Sequence, residues 1–483
     1  MKLSFLARTL AERGFSFTFT AGERRDPEVS SVFSDSREVC PGSVFCCIEG
    51  SEDDGHRYAP AAEAAGAAAL VCERPLETDL PLFRTASTRA LMGELAALVY
   101  GEPASKLFMV GVTGTNGKTT ATYILRSILQ AAGLKTGLLG TVVESDGVHE
   151  RDAERTTPES CRVQRQLAAM LKNGCEACVM ETSSHGLHIG RLLGCRFDAV
   201  LFTNLNPEHL DYHKDMENYF QAKRLLFSKY SKEDRTAAVN GDDPYGARLL
   251  TEFLDARPFS LSDVSEAHLG PKGSSFVITA DGWPPLPVES PLAGSFNVTN
   301  VLGAVALLRG KFGDSIIAEG AAGTPQVPGR MERHTLPNGA CCIIDFAHTP
   351  EALRSVLSAA REFCSGRLVS IFGHGGGRYP SNRPALGAVA AGMADEVVVT
   401  MDNPRDEDPA QIAEAIVQGI GQTLPYRVIL DRKKAIVTAL DSVGPGDVAV
   451  VSGKGPEKFL IIQGKKIPCN DAETVDEWIR SAR

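Results

Sequence analysis

Gly111-Val112-Thr113-Gly114-Thr115-Asn116-Gly117-Lys118-Thr119-Thr120 lies between an apolar run, 107–112, and a segment that reads as a helix over 119–132, stopped by Gly133. Strand, glycine-rich turn and helix in that order make a phosphate cradle. The N–H groups of the turn and of the helix N-terminus converge on one anion. In such a loop Lys118 contacts the β- and γ-phosphates of ATP, and the Thr119 hydroxyl helps to hold Mg²⁺. Gly114, Thr115, Asn116, Gly117 and Thr120 complete the candidate nucleotide-binding stretch. The usual spacing places glycine at 112, where this chain has valine. Kinases, ATPases and ligases share loops of this kind, so the surrounding residues must decide the reaction.

Working outward, the short apolar runs 178–180, 199–202 and 237–239 end in Glu181, Thr203-Asn204 and Asn240. An open parallel sheet binds ligands outside the carboxyl ends of its strands, which predicts Glu181 and Asn204 on the same edge as the glycine-rich turn. From Arg330 the pattern recurs. Strands are predicted at 340–344, 368–372, 396–400, 427–430 and 448–451, with helices at 351–364 and 409–420. Their ends carry Asp345-Phe346-Ala347-His348, Gly373 to Arg378, Asp402-Asn403-Pro404-Arg405 and Ser452-Gly453-Lys454-Gly455. That is a second polar edge, and the simplest architecture faces the two edges across a cleft. Before the loop, strands at 43–48 and 68–72 flank an alanine-rich helix at 58–65. The expectation is an α/β chain of three domains. A smaller N-terminal α/β domain spans 1–103, a central P-loop ATPase-like parallel sheet 104–329, and a Rossmann-like C-terminal domain 330–483.

The bulk composition narrows the partners. The chain has 483 residues, 43% of them hydrophobic, a net charge of −10 and a pI near 5.6. This balance gives no broad basic footprint for nucleic acid or an anionic membrane. The N-terminal apolar run is broken at Arg8, Glu12 and Arg13, and no uncharged window approaches a membrane span. A cytoplasmic monomer acting on small-molecule substrates, without membrane insertion, is expected. The twelve cysteines suit a reducing compartment. Cys175 and Cys178 form a lone C-x-x-C with no second pair at zinc spacing, and Cys46-Cys47 and Cys341-Cys342 lie in apolar runs.

Several further stretches carry a resemblance. Met180-Glu181-Thr182-Ser183-Ser184-His185, Glu208-His209-Leu210-Asp211-Tyr212-His213, Ala222-Lys223-Arg224-Leu225-Leu226-Phe227, Gly294-Ser295-Phe296-Asn297-Val298-Thr299-Asn300, Val327-Pro328-Gly329-Arg330 and Asp345-Phe346-Ala347-His348-Thr349-Pro350 follow the nucleotide loop. In this order, over nearly the whole chain, they resemble the Mur ligase family. The resemblance implies an ATP-dependent amide ligase using Mg²⁺, with the carboxylate activated as an acyl phosphate. It implies Thr119 and Glu181 as Mg²⁺ ligands and His209 at a second Mg²⁺. It implies that Lys223 becomes a carbamylated, carboxylate-like metal ligand. By the same resemblance, Asn297, Asn300, Asp345 and His348 are expected to contact the nucleotide, and Arg330, at the hinge, to contact phosphate.

Asp35-Ser36-Arg37, with Gly42-Ser43-Val44-Phe45 and Asp54-Gly55-His56, resembles the uridine-nucleotide-binding domain of the branch that makes the tripeptide. Thr156, Thr157, Ser183 and Arg191 resemble its contacts to the muramoyl dipeptide. In the family, the tetrapeptide that Asp402-Asn403-Pro404-Arg405 resembles accompanies meso-diaminopimelate as the added residue, and Arg378, Gly453 and Glu457 resemble further positions for it. The chemistry agrees: a guanidinium grips the distal carboxylate of that substrate and repels the lone distal ammonium of lysine or ornithine, while Glu457 pairs with the distal ammonium. Departures from the family pattern cluster here. His374 stands for cysteine, an Asp is missing before Arg378, Asn382 precedes Arg383-Pro384, and Pro456 stands for histidine. The alternatives are the same ligase adding lysine or ornithine, a ligase like folylpolyglutamate synthetase, and a nucleotide-sensing regulator. The added N-terminal segment speaks against the second. A regulator has no need of Lys118, Glu181, His209 and Lys223 together.

Overall fold

The computed structural model describes residues 1–21, 26–50, 53–422 and 424–482. They form two compact units, Met1–Ser260 with Gly303–Gly320, and Leu261–Leu302 with Ala321–Arg483.

The first unit contains two sheets. The smaller has the order Phe17–Thr20, Leu82–Thr85, Ala69–Cys72, Ser43–Cys46, Ser31–Phe33, antiparallel at the first pair and parallel thereafter. Helix Leu3–Glu12 buries Leu3, Leu6 and Leu10, a stripe at helical spacing, in one core with Val32, Val44, Val71 and Phe83. The larger sheet has eight strands: Arg257–Phe259, Ser231–Asn240, Phe197–Phe202, Phe108–Thr113, Ala177–Glu181, Thr136–Leu139, Val143–Ser145 and Glu150–Asp152. The first six are parallel. Val110, Val112, Val179, Met180, Val200 and Leu201 are buried at successive positions, as strands covered on both faces require. Glu181 pairs in register with Val112, and Phe202 with Thr113. The nucleotide loop, Glu181 and Thr203-Asn204 therefore leave the sheet at one edge, as the sequence predicts. The two antiparallel strands at the far edge have no counterpart in the sequence reading. Glu150–Asp152 is exposed and fully charged, so no apolar alternation marks it.

The second unit is built on a six-stranded sheet, Glu332–Thr335, Cys341–Asp345, Val448–Ser452, Leu368–Phe372, Glu396–Val399, Tyr426–Val428. Only the first pair is antiparallel. Alternate residues divide between two cores. Ile343, Leu368, Phe372, Val397 and Val450 join helices Pro350–Arg361, Asn382–Met393 and Pro409–Ile420. Ile344, Val369, Ile371, Val398 and Val451 join helices Arg432–Ser442 and Asp471–Ser481. A three-stranded antiparallel sheet, Val264–Gly270, Gly273–Ile278 and Leu286–Ser290, was not foreseen from sequence. Its first strand has no buried residue. Asn297 and Asn300 lie on helix Ser295–Leu308.

No helix among the described residues is long and apolar enough to cross a membrane. All twelve cysteines are free thiols, and burial pushes Cys178 well above the usual thiol range.

One buried ion pair fastens the second sheet's functional edge. Arg432 Nε and Nη2 donate to Asp471 Oδ1 and Oδ2, both at 2.7 Å, with both side chains fully buried. Arg432 also donates to the carbonyls of Met401 at 3.2 Å and Ser452 at 2.9 Å, where two strands end. Arg432→Met leaves Asp471 as an uncompensated buried charge. The expected loss is about 3–5 kcal/mol in the unfolding transition of this unit, read by the fluorescence of Trp283 and Trp478 in urea. A loss under about 1 kcal/mol contradicts that role.

Candidate active site

The phosphate loop is shaped by its neighbouring strand. Gly114 adopts φ +148°, and a Cβ there would collide with Thr203 Oγ1 and lie 3.1 Å from the Asn204 nitrogen, so only glycine fits. The Thr115 N–H donates to the Asn204 carbonyl at 2.8 Å, and the Asn116 N–H to Asn204 Oδ1 at 2.9 Å. Thr203 Oγ1 donates to the Asn116 carbonyl at 2.6 Å. Gly117, at φ +84°, caps helix Lys118–Ala131, which starts one residue earlier than expected and buries Thr119 and Thr120 in its first turn.

Two lysines converge on this loop. Lys118 Nζ donates to the carbonyls of Gly114 at 2.9 Å and Thr115 at 2.7 Å. Lys223 Nζ, from helix Met216–Ser228, donates to the same Gly114 carbonyl at 2.7 Å and lies 4.5 Å from the Tyr219 ring centroid. Lys223 is 1% exposed. Burial, and next the Lys118 charge, hold its pKa well below the ordinary lysine value.

Glu181 is equally buried. Its carboxylate accepts from Thr119 Oγ1 at 3.1 Å, the Thr141 N–H at 2.7 Å and Thr141 Oγ1 at 3.0 Å. Mg²⁺ takes one or two protein oxygens alongside phosphate and water, and Glu181 with the Thr119 hydroxyl makes such a hard-oxygen pair. His209 stands in the left-handed region at φ +55°, 3.8 Å from Glu208 Oε1, with its ring 4.9 Å from that of His185. Burial pushes its pKa down to about 4, leaving the neutral imidazole that can ligate a metal.

The four residues expected to contact a dipeptide adjoin Glu181. Thr156 Oγ1 is 3.0 Å from Thr141 Oγ1. Thr157 Oγ1 donates to the Glu181 carbonyl at 2.9 Å and accepts from the Ser183 N–H at 3.0 Å. Arg191 donates to the Thr157 carbonyl at 3.2 Å and to Glu159 at 3.1 Å. Ser36 lies apart, in a single turn, Ser36–Glu38, capped by Asp35. An Arg165–Glu38 ion pair at 2.9 Å joins that turn to helix Ser160–Lys172.

In the second unit, Asp345 accepts from the Met331 and Ala347 N–H groups at 2.8 Å each, and burial raises its pKa against the opposing Arg330 charge. The Arg330 guanidinium lies 4.7 Å from the Phe346 ring centroid, and His348 Nδ1 is 2.9 Å from the Phe346 carbonyl. Asn300 donates to Asn297 Oδ1 at 3.0 Å, and Asn297 to the Ala293 carbonyl at 2.7 Å. At the neighbouring strand ends, Asn403 donates to Glu457 Oε2 at 2.8 Å, and Arg405 donates to the Gly376 carbonyl. Pro404, between them in sequence, and Asp402, just before Asn403, are buried, and a Cβ on Gly453 would lie 2.8 Å from Asp402 Oδ2. Arg378 is exposed, and its charge adds to burial in lowering the pKa of Arg405. Sequence reasoning assigned no role to Thr141, Tyr219 or Lys454. Thr141 follows a strand that ends on the functional edge, which was the available signal.

Residues 28–102 match the Mur ligase family catalytic domain, 112–308 the Mur ligase middle domain, and 329–455 the Mur ligase glutamate ligase domain. A UDP-N-acetylmuramoyl-L-alanyl-D-glutamate–2,6-diaminopimelate ligase from Gloeobacter violaceus is 40% identical, over 95% of each chain. The chain belongs to the Mur ligase family. A solved structure of a ligase of the same name superposes with a TM-score of 0.66 at 28% identity, over 94% of this chain and 95% of the other. The MurF ligase of Thermotoga maritima, solved with ADP, shares the fold of this Mur ligase at a TM-score of 0.67 and 20% identity, covering 94% and 97%.

The departures of this Mur ligase have local partners. Glu407 accepts from the Gly377 N–H at 2.6 Å and from Arg383 at 2.7 Å, holding the loop that lacks the family's Asp. His374 is 5% exposed, and Nδ1 has no hydrogen-bond partner among the described residues. Burial and then the Arg383 charge push its pKa down to about 4. Between the ordinary value near 6.5 and 4 the unfolded chain therefore binds a proton that the folded chain refuses. The resulting stability is full above pH 6.5 and lost as pH falls through 4. His374→Gln is expected to flatten melting temperature against pH between 6.5 and 4.5. A curve identical to wild type there contradicts a neutral His374.

Proposed function

We propose that this Mur ligase adds meso-diaminopimelate to the D-Glu γ-carboxylate of UDP-N-acetylmuramoyl-L-Ala-D-Glu, using ATP and Mg²⁺, as a cytoplasmic monomer in peptidoglycan precursor synthesis. The observation that carries this reading is the Asp402–Arg405 loop, with the Arg405 guanidinium and the Glu457 carboxylate on one sheet edge. A substrate end bearing both a carboxylate and an ammonium matches that pair. The names of the relatives support the same substrate. The three matched segments support a division into 1–103, 104–329 and 330–483, the first for the uridine nucleotide through Ser36, the second for ATP, the third for the amino acid.

The γ-carboxylate attacks the γ-phosphorus of ATP, ADP leaves, and an acyl phosphate forms. The neutral amine of the diamino acid then attacks the acyl carbon, loses a proton and expels phosphate. The Gly114–Thr120 loop holds the ATP phosphates, and Lys118 turns from the loop carbonyls to the charge developing on the transferred group. Mg²⁺, when bound, would neutralise phosphoryl oxygens; Thr119 and Glu181 are the proposed ligands of one ion and His209 of a second. Lys223 in its uncharged form adds to CO₂ and releases a proton, giving a carbamate whose oxygens resemble a carboxylate. Its lowered pKa supports this role. Thr156, Thr157, Ser183 and Arg191 orient the dipeptide, while Asn297, Asn300, Arg330, Asp345 and His348 are the second unit's proposed nucleotide contacts. Arg378 and Gly453 join Arg405 and Glu457 around the amino acid.

The test is phosphate release from ATP with Mg²⁺ and the UDP-linked dipeptide, adding meso-diaminopimelate, lysine or ornithine in parallel. Release with meso-diaminopimelate alone is expected, and release with lysine or ornithine instead overturns the choice of amine. Arg405→Ala is expected to raise the KM for meso-diaminopimelate at least about tenfold, the worth of one charged hydrogen-bonded contact. Lys223→Ala is expected to lower kcat by about a hundredfold or more, in keeping with loss of a group that stabilises the transferring phosphoryl charge. An unchanged kcat in that variant removes Lys223 from the mechanism.

A further inference from the structure

Lys454, just past the strand Val448–Ser452, is fully buried. A buried ammonium is costly unless its donors are satisfied, and it has three. Here they reach Glu457 Oε2 at 2.7 Å, the Phe459 carbonyl at 2.7 Å and Asn403 Oδ1 at 3.3 Å. Asn403 Nδ2 donates to the same Glu457 oxygen at 2.8 Å. Both bonds thus fall on Oε2. Oε1 carries neither, and the Glu457 side chain keeps 37% exposure.

The same cluster reaches Arg405 through the hairpin Phe459–Ile462 and Lys465–Pro468. The Ile461 N–H donates to Asn403 Oδ1 at 2.9 Å. The Arg405 N–H donates to the Ile461 carbonyl, and its carbonyl accepts from the Gln463 N–H, at 3.0 and 2.8 Å. Arg405 needs such fastening, because at φ +54° it stands in a region that bulky residues rarely adopt.

We propose that Lys454 is a positioning residue for the incoming diamino acid. Its ammonium locks Glu457 and Asn403 in one arrangement, leaves Glu457 Oε1 for the substrate ammonium, and ties down the hairpin that sets Arg405. The inference rests on the proposed reading of Asn403, Arg405 and Glu457 as amino-acid contacts.

The experiment is steady-state kinetics of the full-length enzyme, wild type against Lys454→Met, varying each of the three substrates in turn. The KM for the diamino acid is expected to rise at least about tenfold, while kcat and the KM values for ATP and the UDP-linked dipeptide stay within about twofold. Lys454→Gln, which keeps N–H donors without the charge, is expected to recover part of the loss, and it carries the test if Lys454→Met does not fold. A diamino-acid KM within twofold of wild type overturns the proposal, as does a parallel shift in all three KM values, the mark of a purely structural residue. If wild type uses lysine or ornithine, only the choice of amine falls, and the same ratio still reads Lys454. No turnover with any amine overturns both readings.

Discussion

The carbonyl oxygen of Gly114 accepts hydrogen bonds from two lysine side chains, and much of the first unit's chemistry follows from that crowding. Two ammonium groups on one oxygen, one of them fully enclosed, cannot both hold their charge cheaply. The pressure falls on Lys223, whose burial and whose neighbour Lys118 hold its pKa well below the ordinary lysine value. Lys118 sits at the helix start, where phosphate can draw it away from the loop. The loop is held by Thr203 and Asn204 of the adjacent strand end, which bond to Asn116 and Thr115, so its shape is a property of the sheet register.

Both units use one constructional rule. Parallel strands buried on both faces are largely apolar along their length, buried Ser370 being a mid-strand exception, and polar residues collect where the strand ends. Glu181, Thr203 and Asn204 meet that condition in the first unit; Asp345, Asp402 and Ser452 meet it in the second. Arg432 bonds to two of those ends from below and pairs with Asp471, so a buried charge fixes the frame on which the polar edge stands.

What could be read from the sequence follows the same physics. The strands 178–180, 199–202 and 448–451 were legible because an uninterrupted apolar run flanked by polar residues admits few other readings. Glu150–Asp152 and Val264–Gly270 were not, since exposed edge strands carry no burial pattern. Individual site residues divide similarly. Glu181 announces itself by ending an apolar run, whereas Lys223 looks like any helix lysine; the family resemblance alone named it, and the structure adds its enclosure over Tyr219. Lys454 was hidden by its neighbours: between two glycines it reads as a loop residue, and its three bonds come from partners 3, 5 and 51 positions away.

The hairpin between Phe459 and Pro468 grips Arg405 through main-chain atoms alone. Its outward side chains, Lys465, Lys466 and Ile467 among them, are thereby uncoupled from the loop they support. Side-chain changes on that surface leave the main-chain bonds to Arg405 in place. The freedom ends at the peptide nitrogens: proline at 461 or 463 would delete a donor that no choice of side chain can restore.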